Sequence, residues 1–383
     1  MRASKSALVR ACLLPTCLAF VGCGSTQPAA PLAQPETTPA SKPIQVGSQA
    51  APAGGGPTIH QLALGDRHTC ALMSDSRVLC WGANTKRQLG DGTMTDRLQA
   101  TRATVVDQLG SDNLVSLTAG GDRTCVVAGE TREWLCWGDL PGGVIRSPAP
   151  LPELANDRNE PQPLLRGVLG PRWVCGIRDG SEVVCRPNFQ RGKPASIVSP
   201  TGFQTDTSLA VGNAHACLAR GAGVLCWGDN RHGQLGDGTL HSRPAAKPTT
   251  VQHIVDGTQV VAGDDHTCIV TKTHRELGCW GANADGQLGT AAGSDRTSVL
   301  ALPTLTPART VSAAGTHTCA LTEGSSGDEL RCWGSWDTGQ ACRKLPLPQP
   351  TEADEIIDLA AGSNLCMATR GGLAICSETR YNG

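Results

Sequence analysis

The chain has 383 residues, 39% of them hydrophobic, with 33 basic against 34 acidic side chains and a formal net charge of −1. So even a balance gives no electrostatic reason to expect a nucleic acid partner, and the length admits more than one domain. Glycine (46) and proline (25) favour short strands and many turns over long helices, while eight tryptophans against three phenylalanines and one tyrosine show a specific demand for indole.

The chain opens on a targeting segment, residues 1–22. Arg2, Lys5 and Arg10 make a basic start, and the apolar run 11–22 is too short to span a bilayer as a mature helix. It ends in "FVGC", which resembles a bacterial lipobox with Cys23 as the residue to be lipidated, although Phe20 stands where leucine is usual. The alternative is an ordinary secretory signal cleaved nearby. The lipobox reading implies a lipid anchor in a bacterial cell envelope, with the membrane reached through the N-terminal lipid. The 33 basic residues less Arg2, Lys5 and Arg10, against 34 acidic, leave a mature charge near −4. Residues 23–41, rich in Pro, Ala, Ser and Thr without apolar periodicity, read as a flexible tether.

From there to residue 383 the cysteines fall in seven close pairs: Cys70/Cys80, Cys125/Cys136, Cys175/Cys185, Cys217/Cys226, Cys268/Cys279, Cys319/Cys332 and Cys366/Cys376. First members of successive pairs lie 55, 50, 42, 51, 51 and 47 residues apart. Repeats of that length with strand-like content predict propeller blades. Stepping inward from Cys217 and Cys226 sets Leu218 against Leu225, Ala219 against Val224 and Arg220 against Gly223, leaving Gly221-Ala222 as a two-residue hairpin loop. In the sixth unit "EGSSGD" (323–328), between Cys319 and Cys332, is expected to bulge out as a loop. Directly opposed residues suit a disulfide. Zinc ligation is the rival, but structural zinc sites use cysteines two to four positions apart and these are nine to thirteen apart. With an export signal present, one disulfide within each hairpin is expected.

Aligned on its cysteines, the unit reads apolar strand, Gly, two variable residues, often His-Thr, Cys-Ala-Leu, turn, then Cys-Trp-Gly and a glycine-rich turn, as in "LALGDRHTCAL" (62–72), "VVAGDDHTCIV" (260–270) and "VSAAGTHTCAL" (311–321). It resembles the repeat of the regulator of chromosome condensation 1 (RCC1)-like superfamily over nearly all of residues 58–383. The resemblance implies an all-β, seven-bladed propeller, a fold in which many exported bacterial members pair cysteines within blades.

Trp81, Trp137, Trp227, Trp280 and Trp333 each follow a pair cysteine. Neighbouring strand residues point to opposite faces, so disulfide and indole serve different blade interfaces, and these five are read as core wedges, with stacking or light sensing as the remote alternative. The turn "CWGDNRHGQLGDGT" (226–239), with close copies at 80–93 and 279–290, lacks the alternating ligands and twelfth-position glutamate of a calcium loop and reads as framework. His68, His215, His266 and His317 share one register, with Arg123 as another copy. They are expected far apart, each making a side-chain-to-backbone hydrogen bond rather than binding metal. A fourth strand is expected after the turn, around 103–107 or 248–252. The seventh unit ends too soon to hold one, so residues 43–47 are expected to pair into the last blade and close the ring; the alternative is a tether running free to Thr58.

Function is sought where the repeat fails. Unit two carries "DLPGGVIRSPAPLPELANDRNEPQPLLRG" (139–167) in place of the turn, and unit three "CRPNFQRGKP" (185–194). Trp134, Trp173 and Trp336 lie outside the core register, and with Arg146 and Arg191 they are the candidate partner-binding residues, since tryptophan and arginine in irregular loops serve as interface anchors. The plain alternative is loops that have drifted. Cys342 is left over, a free surface thiol or an intermolecular link. No nucleophile elbow, metalloprotease motif or phosphate loop occurs, and no cofactor or metal is called for. Two functions stand: an envelope-anchored protein-binding scaffold using one rim, and a propeller hydrolase or lyase with a polar cluster at the channel mouth. Exported relatives include a proteinaceous β-lactamase inhibitor. The superfamily's guanine nucleotide exchange activity belongs to a different compartment.

Overall fold

The computed structural model describes residues 57–376 except 110–113, 130, 141–142, 151–162, 179–181, 188–194, 199–207, 221–222, 246, 325–326, 336–342, 346–354, 363–364 and 371–373. Within the unit Thr37–Gly383 the strands form seven antiparallel sheets, six of four strands and one of three, and in each sheet the spatial order follows the chain. Each cysteine pair joins the second and third strands of its own sheet. The Cα atoms of the seven disulfides stand 4.0–4.2 Å apart, the close spacing of a directly opposed pair. The blade-four hairpin pairs Cys217 with Cys226 and runs to Arg220 opposite Gly223, the register expected from spacing alone.

The first strands of the blades are Ile59–Leu64, Leu114–Gly120, Arg166–Leu169, Ser208–Val211, Gly257–Ala262, Ala308–Ala314 and Ile356–Ala361. Each packs beside the next and the seventh beside the first, which closes a seven-bladed propeller ring. Blades are covered on both faces, so the second strands are buried along nearly their whole length, as in His68–Met73 and Arg123–Ala128.

The core divides into clusters at the blade junctions. Cys70–Cys80 of blade one packs with Trp137 of blade two, Cys175–Cys185 with Trp227, Cys217–Cys226 with Trp280, Cys268–Cys279 with Trp333, and Cys366–Cys376 of blade seven with Trp81 of blade one. Disulfide and indole do face opposite ways from one blade, and at these five junctions the disulfide meets the next blade's indole. The other two depart from that rule. Cys319 and Cys332 are bonded as expected, but blade seven has Ser377 after its second cysteine where five of its siblings have tryptophan. The Cys319–Cys332 bridge therefore packs against Leu359, Leu365 and Met367, and Cys332 keeps 5% exposure where Cys319 has none. Blade three also lacks the indole, and the Cys125–Cys136 bridge packs with Trp134 of its own blade.

Several further expectations are corrected. The fourth strand of blade one is Arg97–Arg102, and where a strand was expected around 103–107 the chain forms a 3-10 helix, Thr104–Leu109, that turns it back toward the next inner strand. The fourth strand of blade four, Thr249–Thr250, lies where expected. In blade six no six-residue loop separates Cys319 from Cys332. The ladder continues from that pair through Glu323 opposite Asp328 to Gly324 opposite Gly327, so "EGSSGD" is mostly hairpin. The odd spacing of thirteen between Cys319 and Cys332 lengthens the strands and leaves the same two-residue tip as blade four. On its other side Cys332 stands opposite Arg343 of the fourth strand, Arg343–Leu345. The irregular stretch of blade two contains a fourth strand, Gly143–Pro150. The seventh sheet has three strands among the described residues, and the signal segment, Cys23, the tether and residues 43–47 lie outside them.

Candidate binding site at the channel mouth

The repeated glycine turn is a frame on which the next blade hangs. Asn84, fully buried, accepts the Leu89 N–H at 3.1 Å and donates to Asp91 at 2.9 Å, bracing the turn internally; Asn230 and Asn283 repeat the first contact with Leu235 and Leu288. The Gln88 carbonyl accepts both the Trp137 indole N–H (3.0 Å) and the Thr124 hydroxyl (2.8 Å) of blade two. Gln234 does the same for Trp280 and Thr267 of blade five, and Gln287 for Trp333 and Thr318 of blade six.

The histidines join this relay. His68 Nε2 lies 2.8 Å from Thr124 Oγ1, His215 Nε2 2.9 Å from Thr267 Oγ1, and His266 Nε2 2.7 Å from Thr318 Oγ1, each across a junction. Each hydroxyl gives its one proton to the glutamine carbonyl, so the imidazole must be the donor. The side-chain pair stands beside the expected side-chain-to-backbone bond, which His68 makes to Arg123, His215 to Asp264 and His317 to Gly362. His215 and His317 on the neighbouring blades both act electrostatically on His266. Burial holds His68, His215 and His317 at about 4, and burial with those two neighbours holds His266 at about 3.

Of the candidate partner-binding residues, Trp134 is corrected: it is 4% exposed and packs with Cys125, Cys136, Val174 and Val184. Blade three has Arg186 where its siblings have the core tryptophan, and Trp134, two residues before Cys136 and thus on the face toward blade three, fills that junction. Trp173 is half-buried in the histidine register of blade three, packed against the junction with blade four, so it too is less free than expected. Arg146 lies on the strand Gly143–Pro150, while Arg191, Trp336 and Cys342 fall outside the described residues. Spacing alone did not single out the glutamines and threonines of the relay, although "GQLG" and "HTC" recur beside the cysteines.

The ends of all seven inner strands line one cavity of about 570 Å³. Its wall is mostly Ala, Val, Leu and Gly. At the rim a Cβ on Gly65 would stand 2.6 Å from the Gly121 carbonyl oxygen, and one on Gly263 2.7 Å from that of Gly315, so only glycine permits the blades to approach. The following residue then donates across the junction, Asp66 N–H to Gly121 O at 3.0 Å and Asp264 N–H to Gly315 O at 2.7 Å.

Two carboxylates, Asp66 and Asp264, are the only charged side chains lining the cavity among the described residues. Partial burial, then Asp122, pushes Asp66 up; burial, Asp265 and Asp66 push Asp264 up, with Arg172 pulling it down. Asp122 and Asp265, one position further on, are engaged by the preceding blade: Gln88 Nε2 donates to Asp122 at 3.0 Å and Gln234 Nε2 to Asp265 at 3.4 Å. Among the described residues no group of three or more His, Cys, Asp or Glu converges as a metal site. What the mouth presents is an apolar well with a mixed polar rim.

Ring, repeat and rim define a seven-bladed propeller with one open channel mouth. The sequence pattern described as regulator of chromosome condensation (RCC1) repeat matches residues 222–270, and a second form of it matches 59–88 and 258–287. The ultraviolet-B receptor UVR8 of Arabidopsis thaliana is 26% identical over 236 residues, 61% of this chain and 44% of the receptor. The mitochondrial RCC1 domain-containing protein RUG3 of the same plant is 25% identical over 254 residues, 61% of this chain and 56% of that protein. The chain thus spans about half the length of the curated relatives it matches. The solved structure of Prp20p from Saccharomyces cerevisiae superposes with a TM-score of 0.63 at 18% identity, covering 84% of this chain and 83% of that chain. The chain thus carries RCC1 repeats at those residues and is similar in fold to the RCC1-like propeller Prp20p.

Proposed function

We propose that this protein is an envelope-anchored scaffold that binds a protein partner through the channel-mouth rim. The observation that carries the reading is the division of labour among polar groups. The repeat's own histidines, threonines and glutamines are engaged in joining blades and its asparagines in bracing the turns, whereas the rim loops differ from blade to blade: Asp66-Arg67, Asp122, Pro171-Arg172, Asn213-Ala214, Asp264-Asp265. A surface that varies over a fixed frame is how propellers present binding sites. Prp20p, described with binding properties to Gsp1p and histones, shares the fold and shows that such a ring serves protein recognition in that case. The hydrolase reading is the weaker, because the channel wall is mostly apolar and its polar side chains among the described residues are Thr118, His317 and the two carboxylates. The anchoring part rests on the "FVGC" sequence at Cys23.

Crosslinking of the full-length protein in intact cells, followed by purification from membrane extract, is expected to recover a stoichiometric protein partner, lost on charge reversal of the rim loops. Recovery of none would count against the scaffold. Radiolabelled palmitate is expected to mark the wild type and not Cys23→Ser; equal labelling would exclude the anchor.

A further inference from the structure

Blade three lacks, on both its faces, groups by which other blades are joined. Its four strands are Arg166–Leu169, Trp173–Arg178, Glu182–Pro187 and Ala195–Val198, paired in chain order. Toward blade two, Val174 stands where Thr124, Thr267 and Thr318 offer a hydroxyl. Toward blade four, Trp173 holds the histidine position and Ala216 the threonine position. The chain after Cys185 also has no "GQLG", whose glutamine carbonyl accepts an indole elsewhere. At the rim Asp66, Asn213 and Asp264 each donate a backbone N–H to the next blade, whereas Pro171, in the same register, has no N–H to give.

The tryptophans that flank blade three show the consequence. Trp134 of blade two is 4% exposed and Trp227 of blade four 0%, and neither indole N–H has a hydrogen-bond partner among the described residues. Trp137, Trp280 and Trp333 give theirs to a glutamine carbonyl across the junction. A buried donor without an acceptor is destabilising in the closed ring and finds water once the junction opens. One such donor stands on each side of blade three, so both are relieved when that blade moves away. Apolar contact seats the blade, through Val174 and Val184 with Trp134 on one side and Ile177 and Val183 with Trp227 on the other. Its hairpin is secured internally by the Cys175–Cys185 bond and a ladder running from Trp173 opposite Pro187 to Arg178 opposite Glu182. Blade seven also has no tryptophan after its second cysteine, but side chains tie its inner strand on both sides. Ala361 N–H donates to Ser312 Oγ at 2.9 Å and Leu62 N–H to Asp358 at 2.7 Å.

We propose that blade three is the opening unit of the ring. It parts from blades two and four as one disulfide-held sheet while the other six blades stay joined. Folded chains open locally in contiguous units well below the global unfolding free energy, and the missing cross-links place that opening here.

Native-state amide exchange of the full-length protein tests this, with Val174–Ile177 of blade three set against Thr267–Val270 of blade five. Both stretches are buried and share one register on bridged hairpins, so a difference between them reports their neighbours. After correction for intrinsic rates the blade-three amides are expected to exchange faster by about tenfold or more, with a shallower urea dependence than global unfolding. Equal rates, or blade-three exchange only through global unfolding, would overturn the proposal. Trp227→Phe and Trp280→Phe remove the same ring area, but only the second breaks a hydrogen bond. The urea midpoint is therefore expected to fall further for Trp280→Phe. Equal midpoints, or the reverse order, would show that the Trp227 indole has an acceptor, and the opening unit would fall with it.

Discussion

At the scale of single residues, the buried imidazoles are the most exposed to a change of conditions. His68, His215 and His266 donate from Nε2 to a threonine hydroxyl of the next blade, which requires the neutral ring. Their folded pKa values, and that of His317, lie near 4 or below, under the ordinary 6.5 of an unfolded histidine. Between those limits the unfolded chain binds protons that the folded ring refuses. Stability therefore falls as pH falls from about 6.5 toward 4, by about 1.4 kcal/mol per pH unit for each histidine. Urea midpoints measured across that window are expected to drop steeply, and a flat profile would contradict the buried neutral rings. Thr318→Val removes the acceptor for His266 and the donor to Gln287, and is expected to cost about 1–3 kcal/mol in urea unfolding.

At the scale of the element, the glycine turn of one blade is shaped by the tryptophan of the next. Gly236 has φ +66° and a Cβ there would stand 2.8 Å from the Trp280 indole nitrogen, whereas Gly92, with φ +81°, opens on empty space. Gly92→Ala is thus expected to carry only the conformational cost, about 1 kcal/mol, and Gly236→Ala clearly more, because the indole that donates to Gln234 must shift. Equal unfolding midpoints for the two variants would disprove the contact. The hairpins were legible in the sequence because a disulfide demands opposed strands, and spacing then fixes every pair from Cys217–Cys226 outward. The same rule applied to Cys319 and Cys332 gave the bond but not the hairpin length, since spacing alone does not say where a ladder stops and a loop begins. The relay was not legible. A threonine beside a cysteine has no spacing rule to mark its hydroxyl as the hinge between a histidine of the preceding blade and a carbonyl of that blade's turn. Trp134 misled for a related reason: it lies out of register because blade three lacks its own indole, and a compensating core residue reads, in a lone sequence, like an exposed one.

At the scale of the whole molecule, the seven junctions are unequal. Those of blades one and two, four and five, and five and six carry the full set of glutamine carbonyl, tryptophan, threonine and histidine. Blade seven has Leu365 in the threonine position and blade four Ala216, so the ring depends there on apolar packing. The seventh blade, with three strands described, is where closure by residues 43–47 remains a proposal. A chain beginning at residue 55 is expected to unfold at a lower denaturant concentration than one beginning at 42; undiminished stability would exclude that strand.

Lys or Arg stands between the partners of every cysteine pair, at Arg77, Arg132, Arg178, Arg220, Lys272, Arg331 and Arg370, so trypsin without reductant splits each hairpin into two peptides held by its disulfide. Mass mapping of such a digest is expected to return seven linked pairs, each within one blade, from Cys70–Cys80 through Cys319–Cys332 to Cys366–Cys376. Peptides linked across blades, or free thiols at these fourteen positions in exported protein, would contradict the self-bridged ring.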